Sequence, residues 1–302
     1  MRHIKTPLRY AGGKSKAYGF ISTYIPFWPK PKRIVSPFIG GGSLEVRWAN
    51  ELDIEVIGYD VFDMLVNFWE VLLKQPKKLA RELSKITPDD KTYKEVKDIL
   101  LHLDKTQELL SGWKTNSYKR EVIITLNKLE RASFYYFNHN TSYGPGYLGW
   151  PSSVYLQTDR WKRMISKIRS FECPNLKVYQ ESFETSIPKH PNDLMYCDPP
   201  YYLQKDSDNK MFKGIYPMRN IPVHHDSFDH EKLRDLLHKH KGSFVLSYNN
   251  CETIRDWYQD FHQVFPKWSY SMGSGETRIG KNRREQGITN VKESHEILII
   301  KE

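Results

Sequence analysis

The residues best suited to chemistry lie where a short apolar run ends and Asp198 is followed by Pro199, Pro200 and Tyr201. Residues 193–197 are rich in strand-forming types, so they predict a buried strand that stops where the acid emerges. Two consecutive prolines fix the backbone and keep Asp198 out of a helix. We therefore expect the acid, the carbonyl groups of the turn and the tyrosine ring to form one rigid array.

A carboxylate beside a backbone carbonyl provides two acceptors, which suit an amino group that carries two N–H donors. The ring of Tyr201 adds a flat face for stacking. The array therefore predicts a site for a planar ring with an exocyclic amine. Taken alone, the motif leaves two alternatives open, a structural strand end with a proline stop and a proline-rich ligand for a small recognition domain.

A glycine-rich turn follows an earlier predicted strand. Residues 33–37 are strand-like, Gly40 to Gly42 follow, and a helical pattern begins after them. This order brings a nucleoside-like cofactor against backbone N–H groups in doubly wound folds. The next predicted strand, residues 55–60, ends at Asp60, about twenty residues after the turn, where a carboxylate can bind a ribose hydroxyl pair.

Residues 8–15 are similar to a phosphate-binding loop, but Leu8 stands where that pattern requires glycine. The segment is therefore not a nucleotide triphosphatase signature. Gly12 and Gly13 still allow close approach of the backbone to a ligand, and Lys14 is placed to meet a carboxylate. A plain glycine turn is the alternative.

Strand signals are nearly absent from residues 61–170, where apolar residues recur at helical spacing. The pattern predicts an inserted helical subdomain at 63–170 between two parts of an α/β catalytic domain, 1–62 and 171–302. Its last helix runs into a predicted loop or hairpin near 138–150, which is rich in amide, hydroxyl and aromatic side chains. Such side chains suit base edges and stacking, with an ordinary surface loop as the alternative. The predicted contacts there are Asn138, Asn140 and Tyr143.

Lys and Arg total 46 against 36 Asp and Glu, a formal charge of +10, so a polyanionic partner is expected. Basic residues cluster at 160–169 and in a basic insertion at 273–291. We predict phosphate contacts in the insertion from Arg278, Lys281, Arg283 and Arg284. Three widely spaced cysteines and the isolated pair His224 and His225 indicate no metal. No apolar run approaches a membrane span, so a soluble intracellular protein is expected.

Taken together, residues 10–14, residues 38–42, Asp60 and the segment from Asp198 to Tyr201 resemble the Dam-type DNA adenine N6-methyltransferases. These are the alpha group of amino-methyltransferases that use S-adenosylmethionine, and the resemblance spans nearly the whole chain. It implies a Rossmann-like methyltransferase fold whose inserted helical subdomain recognises the target. It also implies methyl transfer to N6 of a flipped adenine in a short duplex sequence, with double-stranded DNA as the partner and no metal.

The resemblance also assigns roles to individual residues. It implies an adenine pocket formed by Asp198, Pro199, Pro200 and Tyr201. Cofactor contacts are implied for Tyr10, Lys14, Phe38, Gly40, Gly42, Asp60, Phe183 and Asp198. The basic insertion departs from the family pattern, so contacts to a particular DNA sequence do not carry over.

Two other functions remain open at this stage. The pocket recognises an amine before it recognises a ring, so methylation of cytosine N4 or of RNA is the nearer alternative, and a non-catalytic DNA-binding protein is the more distant one. A cognate restriction endonuclease is compatible with the resemblance as a further partner. So is a location in the cytoplasm of a prokaryote, associated with the nucleoid, or expression from a viral genome inside a host cell.

Overall fold

The computed structural model describes residues 4–10, 12–26, 29–110, 126–144, 146–202, 228–266, 269–271, 291–293 and 296–302. Its strands are β1 Arg33–Ser36, β2 Glu55–Asp60, β3 Leu176–Gln180, β4 Leu194–Cys197, β5 Phe244–Asn249, β6 His262–Val264, β7 Ser269–Ser271, β8 Val291–Glu293 and β9 Glu296–Lys301. Its helices are α1 Tyr18–Ser22, α2 Glu45–Arg47, α3 Asp63–Lys74, α4 Pro76–Leu83, α5 Asp90–Leu110, α6 Lys128–Thr141, α7 Thr158–Arg169, α8 Phe183–Lys189, α9 His230–Lys239 and α10 Glu252–Trp257.

Within the described ranges, seven strands form one sheet in the order β3–β2–β1–β4–β5–β9–β6. The pairings among β3, β2, β1, β4 and β5 are parallel, and β9 runs antiparallel to both β5 and β6. The parallel strands follow chain order outward from β1 to β3 on one side and from β4 to β5 on the other, and β9 lies between β5 and β6. The crevice beyond the carboxyl ends of β1 and β4 is therefore the topological switch point, where open α/β sheets bind their ligands.

Buried side chains alternate between the two faces of the sheet, as the period of a strand requires. Ile34 and Val56 belong to the hydrophobic cluster that includes α3 to α7, whereas Val35 and Ile57 belong to the cluster that includes α8 to α10. Each fully buried aliphatic side chain contributes about 1.5–3 kcal/mol. The result is a sheet between two helical layers, which confirms the predicted α/β fold class.

Of the helices in residues 63–170, α3 packs directly on β2 and β3, and the other helices pack on α3 or on one another. Trp69 of α3, Leu79 of α4 and Tyr136 of α6 share one core with Ile34 and Val56. These helices therefore share their core with one face of the sheet, and the division at residues 62 and 171 stays a prediction. In the described part of the chain, no helix is both long enough and apolar enough to cross a membrane.

Helix α6 begins at a capping box. The side chain of Asn127 accepts hydrogen bonds from the backbone N–H groups of Leu129 and Glu130, both at 3.0 Å, and Glu130 accepts one from the N–H of Asn127 at 2.9 Å. This arrangement satisfies N–H groups that lack partners inside the helix. The helix continues to Thr141, so its last turn contains residues 138–141, for which the sequence pattern predicts a loop.

Candidate active site at the switch point of the sheet

The turn after β1 needs glycine at two positions. Gly40 has a φ of +46° and Gly42 a φ of +61°, a backbone region that other residues seldom adopt. A Cβ on Gly42 would also lie 2.8 Å from the indole ring of Trp69, and the indole N–H of Trp69 donates to the carbonyl of Gly40 at 3.0 Å. The tryptophan therefore fixes the turn from the core side.

Tyr10 packs against the outer side of the same turn. A Cβ on Gly41 would lie 2.4 Å from the Cβ of Tyr10, so the glycine admits the tyrosine. The ring of Tyr10 stacks on the ring of His139 at 5.6 Å, which ties the N-terminal segment to α6. Burial lowers the pKa of His139 to about 4, so this imidazole is neutral, and its Nε2 donates to the carbonyl of Arg9 at 2.7 Å.

Asp60 lies at the end of β2, beside the glycine turn. Its carboxylate accepts from the backbone N–H of Gly40 at 3.1 Å and from that of Phe62 at 3.0 Å. A carboxylate has about four acceptor positions, so these bonds are compatible with further bonds from a ribose hydroxyl pair. The structure thus brings the predicted acid and the predicted turn together.

Aromatic side chains form one wall of the cleft next to this acid. The rings of Phe38, which follows β1, and Phe183, which begins α8, lie 5.6 Å apart. Phe228 contacts both rings, at 5.7 Å from Phe38 and 4.9 Å from Phe183. An aromatic cluster, a carboxylate and a glycine turn at the ends of neighbouring strands are suited to a nucleoside, with the base on a ring and the ribose on the acid.

The strand before Asp198 is confirmed as β4, and the acid emerges at its carboxyl end. The Nζ atom of Lys14 lies 2.9 Å from both carboxylate oxygens of Asp198 and 3.1 Å from the carbonyl oxygen of Gly12. The Lys14 side chain is 2% exposed and that of Asp198 is 23% exposed. The side chain of Lys14 is therefore buried, whereas the carboxylate of Asp198 is partly exposed and open to a ligand.

Lys14 is held in register with the glycine turn because its backbone N–H donates to the hydroxyl of Ser43 at 3.0 Å. Burial raises the pKa of Asp198 to about 6, although Lys14 lowers it and Glu296 raises it further. The acid is therefore mostly ionised at neutral pH. The carboxylate of Asp198 accepts hydrogen bonds from Lys14, and its remaining acceptor positions can accept hydrogen bonds from a ligand amine.

The sequence analysis missed two carboxylates that lie near Lys14 and Asp198, those of Glu296 and Glu45. Glu296, the first residue of β9, lies 3.5 Å from the Nζ of Lys14, and its Oε1 accepts a hydrogen bond from the hydroxyl of Tyr201. Glu45 accepts from the hydroxyl of Ser36 at 2.8 Å, and burial raises its pKa to about 7. A charged residue at the start of an apolar strand or of a buried helix is the signal that identifies both. We call Lys14, Asp198, Pro199, Tyr201 and Glu296 the amine pocket.

Asn138 and Asn140 have no exposed surface in the last turn of α6. The Oδ1 of Asn138 accepts from the N–H of Leu148 at 2.7 Å, and that of Asn140 accepts from the N–H of Arg9 at 2.8 Å. Since both amides are buried and bonded to backbone, the structure argues against the predicted DNA contact for these two residues. They hold the hairpin segment, defined as residues 138–144 and 146–151, in place.

Tyr143 differs from the two asparagines because 56% of its surface is exposed. Its backbone N–H donates to the carbonyl of Trp150 at 2.7 Å, which closes the hairpin segment, and Trp150 is 66% exposed. The predicted contacts Arg278, Lys281, Arg283 and Arg284 lie outside the described residues, as do His224 and His225. In the described ranges, no three His, Cys, Asp or Glu side chains are grouped closely enough to hold a metal ion.

An aromatic cluster, a glycine turn and a partly exposed carboxylate at the switch point of the sheet are the features expected of an amino-methyltransferase. A model of the D12 class N6 adenine-specific DNA methyltransferase family matches residues 10–272. The chain belongs to this family, and the resemblance drawn from its motifs is confirmed.

Two curated proteins are similar to the chain. The Type II methyltransferase M.FokI of Planomicrobium okeanokoites is 25% identical over 309 residues, which cover 95% of this chain and 43% of that protein. The tRNA1(Val) (adenine(37)-N6)-methyltransferase of Pseudoalteromonas translucida is 28% identical over 94 residues, or 30% of this chain and 38% of that protein. The chain thus spans less than half the length of either relative that it matches.

Proposed function

We propose that this chain is a site-specific DNA methyltransferase that transfers the methyl group of S-adenosylmethionine to N6 of an adenine flipped out of a short duplex sequence. The observation that carries the proposal is Asp198, at the switch point of the sheet, with the buried ammonium group of Lys14 at 2.9 Å and an edge open to the cleft. Membership in the family supports adenine in DNA as the substrate.

S-adenosylmethionine, when bound, supplies a methyl group on a positively charged sulfur. Its contacts are proposed to be Tyr10, Lys14, Phe38, Gly40, Gly42, Asp60, Phe183 and Asp198. The residues fit such a group because the aromatic wall and the acid of β2 suit its nucleoside end. The partly exposed carboxylate of Asp198 suits a positively charged methionine end.

The adenine amine needs activation, because its N6 lone pair is delocalised into the ring. Asp198 and the carbonyl of Pro199 would accept the two N–H bonds, which localises the lone pair on N6 and aims it at the methyl group. The lone pair of N6 would form the new bond to the methyl group that the bound donor supplies, the donor would keep the electrons of the broken C–S bond, and N6 would become positively charged. Asp198 stabilises this charge and, with a pKa raised to about 6, is suited to take the departing proton and pass it to water.

A base inside a duplex cannot reach this pocket, so the target must be extruded at a cost of a few kcal/mol. Stacking on the ring of Tyr201 offsets about 1–3 kcal/mol of that cost. Tyr201 is held for this role at its hydroxyl, which is bonded to Glu296. Pro200 keeps the turn rigid between the acid and the ring.

The DNA is proposed to lie across the hairpin segment and the basic side of α7. Tyr143 is exposed there, and Arg163, Lys167 and Arg169 are exposed on α7. Arg9 joins the hairpin segment to the residues that precede α7, since its guanidinium lies 3.3 Å from the centre of the Tyr155 ring and donates to the carbonyl of Asn140 at 2.6 Å. Arg278, Lys281, Arg283 and Arg284 are proposed as further phosphate contacts.

The similarity to a Type II methyltransferase supports a setting in which methylation protects a site from a cognate restriction endonuclease. We propose that the chain works on DNA in a prokaryotic cytoplasm, associated with the nucleoid, or on DNA in a cell infected by a virus that encodes it.

The test is transfer of an isotopically labelled methyl group to duplex DNA, followed by digestion and mass spectrometry of the nucleosides. We expect label in N6-methyladenine for the wild type and almost none for Asp198→Asn, while Asp235→Asn, which changes an acid on α9, serves as the control. Label in N4-methylcytosine, or in RNA offered in parallel, would replace the substrate that we propose. DNA binding without any transfer would identify a non-catalytic protein.

A further inference from the structure

Glu296 belongs to the amine pocket, although no motif of the sequence points to it. Its side chain is 5% exposed. It contacts two members of the pocket, because Oε1 accepts from the hydroxyl of Tyr201 and lies 3.5 Å from the Nζ of Lys14. One carboxylate thus joins the aromatic residue and the buried cation of the pocket.

The topology explains how a residue near the end of the chain reaches this place. Strand β9 runs antiparallel to β5, and Glu296 pairs with Asn249, the last residue of β5. The beginning of β9 therefore lies at the edge where the parallel strands end, which is the edge of Asp198. The rest of the strand, Ile297 to Ile300, is buried and fixes the position of Glu296.

We propose that Glu296 is a positioning residue for methyl transfer, which holds the ring of Tyr201 over the amine pocket and gives the pocket an excess of negative charge. This inference rests on the proposed function. Lys14 contributes one positive charge, whereas Asp198 and Glu296 contribute two carboxylates. Because the reaction moves positive charge onto N6, a pocket that is negative on balance favours the product side of the transfer.

The hydrogen bond to the tyrosine acts on geometry. A ring that is fixed at its hydroxyl loses little rotational freedom when a base stacks on it, so less of the stacking free energy is lost on binding. The ring of Tyr201 also lies 5.3 Å from the Nζ of Lys14, so the same contact keeps the aromatic face over the cation. Without the hydrogen bond, neither the stacking orientation of the Tyr201 ring nor its position over Lys14 would be fixed.

The decisive variant is Glu296→Gln, which keeps the size of the side chain and an acceptor for Tyr201 but removes the negative charge. The titratable groups that interact with Asp198 are Lys14, Glu296, Glu45, Tyr196 and Cys197. Since Glu296 raises the pKa of Asp198, the variant should move the acid limb of the rate profile to lower pH. We expect kcat to fall about 10-fold, with the KM values for DNA and cofactor unchanged.

A second readout needs no cofactor. The pKa of Asp198, measured by NMR of the 13C-labelled carboxyl groups, should fall in Glu296→Gln relative to the wild type and stay unchanged in the control Glu82→Gln. Tyr201→Phe keeps the ring and removes its hydroxyl, so it should lower kcat without moving the carboxyl pKa downward. In the double variant the two decreases in kcat should be less than additive, because Glu296→Gln weakens the charge-assisted hydrogen bond that Tyr201→Phe removes.

Wild-type kcat and an unmoved carboxyl pKa in Glu296→Gln would overturn the proposal. If that variant unfolds, full kcat in Tyr201→Phe would overturn it as well, because the ring would not need its anchor. An absence of methyl transfer by the wild type contradicts the proposed function instead, so the two failures are distinguishable.

Discussion

The two regions proposed to act on DNA bury their polar side chains in opposite ways. In the amine pocket, Lys14 and Asp198 carry opposite charges and lie 2.9 Å apart, and the acid keeps an edge open to the cleft. In the hairpin segment, the buried polar groups include the neutral amides of Asn138 and Asn140, and their oxygens accept from backbone N–H groups of the same protein.

The difference shows that burial and polarity together do not identify a functional residue. A functional role is indicated when a polar group is paired with a buried charge and is still exposed to a ligand, and not when it is bonded only to the backbone of the fold. The oxygens of both hairpin amides accept hydrogen bonds within the fold, so the proposed contact with DNA is assigned to exposed Tyr143. The pocket carboxylate is partnered by a buried cation and still open to a ligand, so it is suited to binding an amine.

Of the substitutions in the two regions, removal of the pocket cation Lys14 should change stability and the pH dependence of the rate the most. Lys14→Met leaves Asp198 and Glu296 as two buried carboxylates without their shared cation, which should cost about 3–5 kcal/mol of unfolding free energy. Because Lys14 lowers the pKa of Asp198, the acid limb of the rate profile should also move to higher pH. Thermal unfolding and a rate profile between pH 5 and 9 measure both effects.

The double variant Lys14→Met with Glu296→Gln is the matched control for the charge argument. It removes one cation and one carboxylate, so it should recover part of the stability that Lys14→Met removes. An equal or larger destabilisation in the double variant would show that packing of the lysine stem, and not charge, holds the pocket together.

Removing a hairpin amide should destabilise the fold by less. Asn140→Ala leaves the N–H of Arg9 buried without its acceptor at 2.8 Å, which should cost about 1–3 kcal/mol. Asn192→Ala, at an exposed position, should cost almost nothing. Chemical denaturation measures both values. If Asn140→Ala keeps its stability but binds DNA more weakly, the asparagine contacts DNA after all.

Substitution of the exposed Tyr143 in the hairpin segment should weaken DNA binding and leave stability unchanged, the reverse of what is expected for Asn140→Ala. Tyr143→Ala should weaken DNA binding by about 1–3 kcal/mol, because its ring no longer stacks on a base, and leave the unfolding free energy nearly unchanged. The control is Phe265→Ala, which removes an equally exposed ring near β6. Fluorescence anisotropy with a labelled duplex measures the affinity. Equal affinities for the two variants would remove the hairpin segment from the proposed DNA surface.

The smallest expected effect is electrostatic. Replacing Arg163 and Lys167 of α7 by Ala should lower the salt dependence of DNA binding, with a change in the log–log slope of about 1 for each phosphate that is no longer neutralised. Replacing Lys232 and Lys239 of α9, which are equally exposed, should leave the slope unchanged. Affinities measured at several salt concentrations give both slopes, and identical slopes would place the DNA elsewhere.

The pocket could be predicted from the sequence to the extent that its geometry is local. A strand that ends in an acid and two prolines, and a turn that needs glycine, specify their own backbone, and the structure has Asp198 and Gly42 in those conformations. The strand order then brings the two together. The contact of Lys14 with Asp198 joins residues 184 positions apart, so only their residue types indicate it.

Other features depend on packing that no motif records. Glu296 reaches the pocket because β9 runs antiparallel to β5, and strand direction is not written in residue types. The amides of Asn138 and Asn140 are buried because α6 continues to Thr141 and the N-terminal segment crosses it, bonded through Arg9. The sequence pattern therefore predicts that these polar residues are exposed, whereas tertiary contacts bury them.

The central claim is that the ionised carboxylate of Asp198 activates the amine that receives the methyl group. Single-turnover methyl transfer, measured from pH 5 to 8 for the wild type and for Asp198→Asn, tests it most directly. We predict a wild-type rate that rises through an apparent pKa of about 6, and a variant rate lower by about 10²–10⁴-fold without that rise. A variant that transfers the methyl group at the wild-type rate would contradict the claim.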